Sequence, residues 1–322
     1  MRPDHPLLLA PSDTRDVMPT DSLARSSSAR IHNYLLGGRD NYAVDRAVAQ
    51  RAAGKMPFLP SAVRQERMYV LLMVQALAIA GIRQLVDFGC GMPHSPDPVD
   101  VITRVHPNAR AVCIDGDALV HAFTSALLRV GAPAAVAHLH ADIREPESVL
   151  ASREILKTIN WREPVILLFG SVLHHIDDTP ARPLSMLVDQ YKKVAAPGSA
   201  LVITHATADF AGKPARKAAK AMTAAGCPVY PRTKEQIAPL FNDWHLVSPG
   251  LTEPQVMPLE NPVRPQTASY AGMARKGKLR TVVGDGVFPG PDQPFTGTAL
   301  GTLAPCQRPW QHRKHQPSNG NG

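Results

Sequence analysis

The chain has 322 residues, 44% of them hydrophobic, with a formal charge of +8, which is enough apolar material for one large domain or two small ones. Aromatic residues are only 5% of the chain and the Lys and Arg residues are scattered, which argues against a base-stacking nucleic-acid surface and leaves the positive balance as that of a mildly basic soluble enzyme. The four cysteines, Cys90, Cys113, Cys227 and Cys306, lie far apart without a C-x-x-C pair, so no metal or redox motif is indicated and a reducing cytoplasm fits. Residues 1–28 are rich in Pro, Ser and Asp and read as disordered. Within them Leu7–Ala10 is too short for the core of a signal peptide.

From residue 29 a short helix is expected to end at Leu35-Leu36-Gly37-Gly38 with a glycine C-cap. Helical patterns follow at about 63–80, 98–105, 117–130, 182–195 and 233–241. Met68–Ala80, the longest apolar stretch, is too short to cross a bilayer and reads as a buried helix, so no membrane partner is expected. Between the helices lie β-rich runs: Gln84–Phe88, Ala111–Ile114, Ala135–His140, Val165–Phe169, Ala200–Thr204, His245–Pro249 and Ser269–Arg275. Strands alternating with helices predict an α/β fold with a mostly parallel sheet and helices on both faces. The run Val165–Phe169 is apolar throughout, as a central strand buried on both faces should be. The basic segment from Phe210 to Tyr230, with Lys213, Arg216, Lys217 and Lys220, reads as a solvated helix face, with a lid or a surface for acidic substrates as the rival. Residues 278–322, rich in Gly, Pro, Gln and Asn, read as a disordered tail.

In such sheets ligands bind beyond the carboxyl ends of the strands, so function belongs to the loops there. After the first strand, Asp87-Phe88-Gly89-Cys90-Gly91 places an acid two residues before two closely spaced glycines. Glycine lets a ligand approach the main chain with no Cβ in the way. The dinucleotide fingerprint G-x-G-x-x-G would need glycine at position 94, where this chain has His94, which speaks against a nicotinamide oxidoreductase. The second strand ends in Asp115-Gly116-Asp117. A carboxylate at that distance from the glycine loop can bind both hydroxyls of a ribose, and Asp117 can instead cap the next helix. The third strand ends in Asp142-Ile143, an acid for an exocyclic amine and an apolar cover for a ring, with an N-cap as the rival role. The fourth ends in Gly170-Ser171-Val172-Leu173-His174-His175. His174 and His175 are candidate bases or acceptor-orienting groups, because histidine titrates near neutral pH.

The segment Ala29-Arg30-Ile31-His32-Asn33-Tyr34-Leu35-Leu36-Gly37-Gly38-Arg39-Asp40-Asn41-Tyr42, with Asp45-Arg46, resembles the N-terminal signature of a large family of S-adenosyl-L-methionine (SAM) dependent methyltransferases common in actinomycetes. The D-x-G-x-G loop with Met92 and Pro93, the stretches Val172-Leu173-His174, Ala196-Pro197-Gly198-Ser199 and Thr204-His205-Ala206-Thr207, and Arg232–Ile237 are similar as well. The resemblance covers roughly residues 29–277. It implies a Rossmann-like class I methyltransferase sandwich with a seven-stranded sheet and an N-terminal helical cap, SAM as cofactor, and methyl transfer to a small-molecule O- or N-acceptor. On this reading Asp87, Gly89, Cys90, Gly91, Asp115, Asp142, Ile143, Gly170 and Ser171 bind the cofactor. Asp87 pairs with its ammonium, directly or through water, with bracing of the loop as the rival role. The turn Arg39–Tyr42 folds over it and walls the acceptor pocket, which adds Tyr42 to the catalytic candidates. A capping turn held by an Asp–Arg pair is the rival role for that segment.

The chain departs from the family pattern at Glu66, where Asn is common, and at Asp97 and Val99, where Asn and His are common. Cys90 replaces a more usual Thr or Ser. The departures motivate a second reading as a non-catalytic, regulatory SAM-binding protein. The asparagine-proline signature of base-amino methyltransferases is missing from the loop after the fourth strand, which counts against a nucleic-acid substrate.

Overall fold

The computed structural model describes residues 24–128, 135–254 and 266–277. The two tails expected to be disordered lie outside these, except that the described fold begins earlier than residue 29. The Ser26 hydroxyl donates to the Ala225 carbonyl at 2.8 Å, and the Ser27 hydroxyl to Asp117 at 2.6 Å.

Seven strands form one sheet: β1 (Gln84–Phe88), β2 (Arg110–Asp115), β3 (Val136–His140), β4 (Ile166–Gly170), β5 (Ala200–Ala206), β6 (His245–Leu246) and β7 (Ser269–Arg275). Their order is β3-β2-β1-β4-β5-β7-β6, parallel except for β7, which runs antiparallel to both β5 and β6. The chain steps outward from β1 to β2 and β3, then returns to place β4 on the other side of β1. The crevice above that reversal is where an open α/β sheet receives a ligand.

Alternation along the strands sorts the core into two layers. Val86 and Phe88 on β1, with Phe169 on β4, face a cluster closed by Leu184, Val188 and Tyr191 of α8 (Leu184–Val194). Phe88 and Phe169 stack with ring centroids 4.3 Å apart, and the Tyr191 hydroxyl donates to the Ile143 carbonyl at 2.8 Å. Leu85, Ala111, Ile166 and Leu168 face the opposite layer, built on α3 (Leu59–Ile79) and α4 (Pro98–Val105). Both faces of β4 are buried, as its unbroken apolar run requires.

A helical cap sits over the carboxyl ends of the strands. It consists of α1 (Ser28–Leu36), α2 (Ala43–Lys55), the start of α3 and α9 (Lys213–Thr223). Helix α1 ends as expected at Gly37, whose N–H bonds back to Tyr34. The sequence pattern does not announce α2. Its alanines and charges carry little amphipathic signal, yet it buries Asp45, Val48, Ala49 and Ala52. Helix α3 begins four residues before its expected start, because Leu59-Pro60 supplies a proline in the first turn. Helix α5 (Ala118–Leu128) begins one residue late, and the rest of its expected span lies outside the described residues. A short helix near Glu147 is present as α6 (Pro146–Leu150), and a second, α7 (Arg153–Thr158), was not expected. The helix expected at 233–241 is split into α10 (Lys234–Ile237) and a 3₁₀ turn at Ala238–Phe241, since Pro239 has no N–H to continue the ladder. Strand β6 keeps two residues of the run expected to reach Pro249. On α9 Ala215, Ala218 and Ala219 face inward, while Lys213, Arg216, Lys217 and Lys220 are exposed: the solvated face the sequence suggested.

Candidate cofactor cleft and acceptor pocket

A cleft of about 810 Å³ opens above the β1–β4 reversal. Every residue expected to bind a cofactor lines it: Asp87, Gly89, Cys90, Gly91, Asp115, Asp142, Ile143, Gly170 and Ser171. Local geometry explains the loop. Gly89 has φ +72°, and a Cβ there would lie 2.3 Å from Val172 Cγ2, so only glycine fits. Gly91 has φ +68° and faces open space, where a ligand can pass against bare backbone. Asp115 holds this loop by accepting from Gly91 N–H and Asp117 N–H, both at 2.9 Å. Each of its oxygens keeps a second lone pair for a ligand hydroxyl. Ser171, at φ +56°, is a non-glycine residue in the left-handed region at the end of β4, and its N–H is tied to Thr204 Oγ1 at 2.9 Å. Such strain persists where surrounding contacts over-determine it, commonly at functional sites.

The acids along the cleft differ in state. Burial raises the Asp87 pKa to about 7, helped by nearby Asp97 and opposed by Arg67. Arg67 is also held by the carbonyls of His94 and Pro96. Asp142 is gripped through both oxygens by Arg144, which keeps its pKa below the ordinary value. A ligand amine there must share an oxygen with that guanidinium.

A smaller pocket of about 80 Å³ adjoins the cleft, sharing Ser28, His32, Ser171 and His175 with it. Its walls are mostly apolar, from Ile31 and Leu35 of α1, Met56 after α2, and Ala215, Ala218 and Met222 of α9. His174 and His175 both reach it. Burial lowers both pKa values, and burial with Arg67 takes His32 down to about 3. These imidazoles are therefore neutral near pH 7. His174 Nδ1 accepts from the Ala206 N–H at 3.3 Å. His175 Nδ1 lies 2.7 Å from the Pro228 carbonyl, a contact that requires the proton on Nδ1 and makes Nε2 the acceptor. Arg232, whose role the sequence did not reveal, pins this loop by donating to the carbonyls of Leu173 at 3.1 Å and Ile176 at 2.7 Å.

The N-terminal segment acts differently from expectation. Helix α1 itself, not the turn after it, walls both cavities; Arg39, Asp40, Asn41 and Tyr42 line neither. Tyr42 begins α2, its N–H bonds to Asp45 at 2.9 Å, and its ring lies under the Arg30 guanidinium. Arg30 and Asp45, both buried, pair at 2.7 Å, so an Asp–Arg pair does brace the segment. Asn33, like His32 and Arg67, lines the cleft without having been assigned to it from the sequence. Its Oδ1 accepts from Asn41 at 2.9 Å, while its buried Nδ2 has no partner among the described residues.

Two of the departures lie outside the cleft wall, although the charge of Asp97 still acts on Asp87. Asp97 and Val99 do not line the cleft. Asp97 is the N-cap of α4, accepting from Asp100 N–H at 2.7 Å, and Val99 packs against the core. Glu66 lines the smaller pocket. Strand register produces a further grouping that sequence distance hides. Cys113 on β2 pairs with His138 on β3, and Cys90 joins them, so that their ligand-type atoms lie within 4.8 Å of one another.

No helix of the described residues is long and apolar enough to cross a membrane. No curated protein matches the sequence. The chain is similar to a solved DUF574 family protein from Streptomyces avermitilis, with 28% identity and a TM-score of 0.74 over 80% of this chain and 99% of that one. It is also similar to a candidate methyltransferase from Thermobifida fusca, with 30% identity and a TM-score of 0.73 over 81% and 100%. The profile of one family, described as S-adenosyl methyltransferase, matches residues 17–277. With that match over most of its length, the chain belongs to the S-adenosyl methyltransferase family and is a SAM-dependent methyltransferase.

Proposed function

We propose that SAM lies in the larger cleft and a small-molecule acceptor in the adjoining pocket, with methyl transfer to oxygen or nitrogen. The observation that carries this reading is the meeting of the whole expected cofactor set on one cleft with a second, apolar pocket opening from it. The cleft residues suit the cofactor's chemistry. The cradle at Gly89 excludes any side chain, Asp115 offers acceptors for ribose hydroxyls, and Asp87 offers a carboxylate for an ammonium. The unpartnered Asn33 Nδ2 offers a donor for a carboxylate. Ile143 and Asp142 suit an adenine face and its exocyclic amine. When bound, SAM supplies a methyl already activated on a sulfonium, so positioning and exclusion of water are the protein's main tasks. The apolar walls from α1 and α9 serve that exclusion, and the neutral imidazoles of His174 and His175 orient the acceptor rather than carry charge.

Titration of the full chain with S-adenosylhomocysteine (SAH) by calorimetry tests the placement. Asp115→Ala removes a charged acceptor, so a roughly tenfold to hundredfold weaker SAH affinity is expected. An unchanged affinity would refute the cofactor placement.

A further inference from the structure

We infer that Glu66 is the group that recognises the methyl acceptor, that the acceptor is a small amine with a short apolar body, and that the Glu66 carboxylate takes the proton the amine nitrogen must lose. The inference rests on the reading of the cleft as the SAM site and deepens it.

Glu66 is 4% exposed, in the middle of α3, yet it lines the smaller pocket. Its Oε2 accepts from the Ser269 hydroxyl at 2.9 Å. Its Oε1 is buried and makes no hydrogen bond of ordinary geometry among the described residues, although the Thr204 and Ser171 hydroxyls lie close enough to favour the carboxylate. No Lys or Arg among them pairs with the carboxylate. A buried carboxyl without a cation is expensive, and an orphaned acceptor adds to the penalty. A ligand that brings a donor and a positive charge satisfies the orphaned oxygen and favours the ionised form that burial disfavours.

The rest of the pocket narrows the class. The titratable groups that share it are His32 from α1 and His174 and His175 after β4, and burial keeps all three neutral. Among the described residues no Lys or Arg lines the pocket to hold an anionic acceptor, and an ionised Glu66 would repel one. An alcohol can donate to Oε1, but it brings no charge and holds its proton too firmly for a carboxylate to remove. An ammonium satisfies both demands. The apolar walls and a volume of about 80 Å³ leave space for a short hydrocarbon body only. Burial raises the Glu66 pKa, against the pull of the Thr204, Ser171 and Ser269 hydroxyls, which makes its carboxylate a better base than in water. The proton moves from the ammonium to Glu66 and leaves a lone pair on nitrogen. The N–C bond then forms as the S–C bond of bound SAM breaks, its electron pair stays on sulfur, and the methylated nitrogen carries the positive charge.

The test uses the full chain saturated with SAH and titrated with straight-chain primary amines from propyl to heptyl, each matched with its alcohol. At least one amine is expected to bind roughly tenfold or more tightly than its alcohol. Glu66→Gln is expected to abolish that preference while SAH affinity, which also reports folding, stays within about twofold. Equal or weaker binding of every amine than of its alcohol in the wild-type protein overturns the inference, whatever the variant does. So does an amine preference that survives in Glu66→Gln. The amine titration is repeated without SAH. If SAH itself fails to bind, the cofactor placement falls while the amine preference still judges Glu66.

Discussion

The two cavities of this methyltransferase are built in opposite ways. The larger cleft, proposed for the cofactor, is more polar than the pocket and is floored by residues at the ends of β1, β2, β3 and β4, with α1, α3 and residues 226–228 as its remaining wall. The smaller pocket, proposed for the acceptor, is mostly apolar and assembled from α1, Met56 after α2, α3, α9, the start of β7 and the loops after β4 and β5. Backbone geometry sets the first; packing of side chains from remote segments sets the second. A cleft fixed by backbone tolerates few substitutions at its turns. A pocket fixed by packing can be resized one side chain at a time, which is how one fold serves many acceptors.

Substitutions can separate the two. The largest expected effect on SAH affinity belongs to Gly89→Ala. It forces a side chain into the left-handed region and against Val172, at 2.3 Å, so affinity should fall roughly 100-fold by calorimetry. A fall under about threefold would show that the glycine loop is not where the cofactor rests. Next comes pH. With its folded-state pKa raised to about 7, Asp87 holds a proton in the folded chain at pH values where the unfolded chain has lost it. That contribution to stability therefore falls as pH rises from about 4 to about 7. A ligand ammonium needs the carboxylate and expels the proton. SAH affinity should then decline roughly tenfold between about pH 8 and about pH 6, and Asp87→Asn should flatten the profile. A pH-independent affinity in the wild-type protein would place the ammonium elsewhere. The smallest effect on SAH belongs to the pocket. Ala218→Leu fills space beside the acceptor, so SAH affinity should stay within about twofold while stability drops by about 1–3 kcal/mol and amine binding is lost. A large loss of SAH affinity there would mean the cavities are not separable.

The same contrast governs what the sequence revealed. Strand-end acids and closely spaced glycines are local patterns, so Asp87, Gly89, Asp115 and Ile143 were legible together with the parallel sheet. The acceptor pocket was not. Met56 and Ala218 meet only through the packing of α2 against α9, and α2 itself carries too weak a periodicity to be seen. Asp97 looked like a lost functional group because its position near the glycine loop was visible while its capping partner, Asp100, was not. Tyr42 drew attention as part of a polar turn, but its work is to start a helix and cover Arg30. The meeting of Cys90, Cys113 and His138 depends on strand register, which spacing along the chain does not encode. Asn33 stood inside a recognisable segment, and only its buried, unpartnered Nδ2 singles it out.

Helix α1 contributes His32 to both cavities and is fastened by Ser27 to Asp117, on the rim of the cleft, at 2.6 Å. A wall held in common makes the occupants mutually informed. Whatever free energy one ligand spends in settling α1, the other no longer has to spend, and the benefit runs equally in both directions. A shared wall of this kind couples the two sites without setting an order between them, and the coupling is written into a single helix rather than into either site.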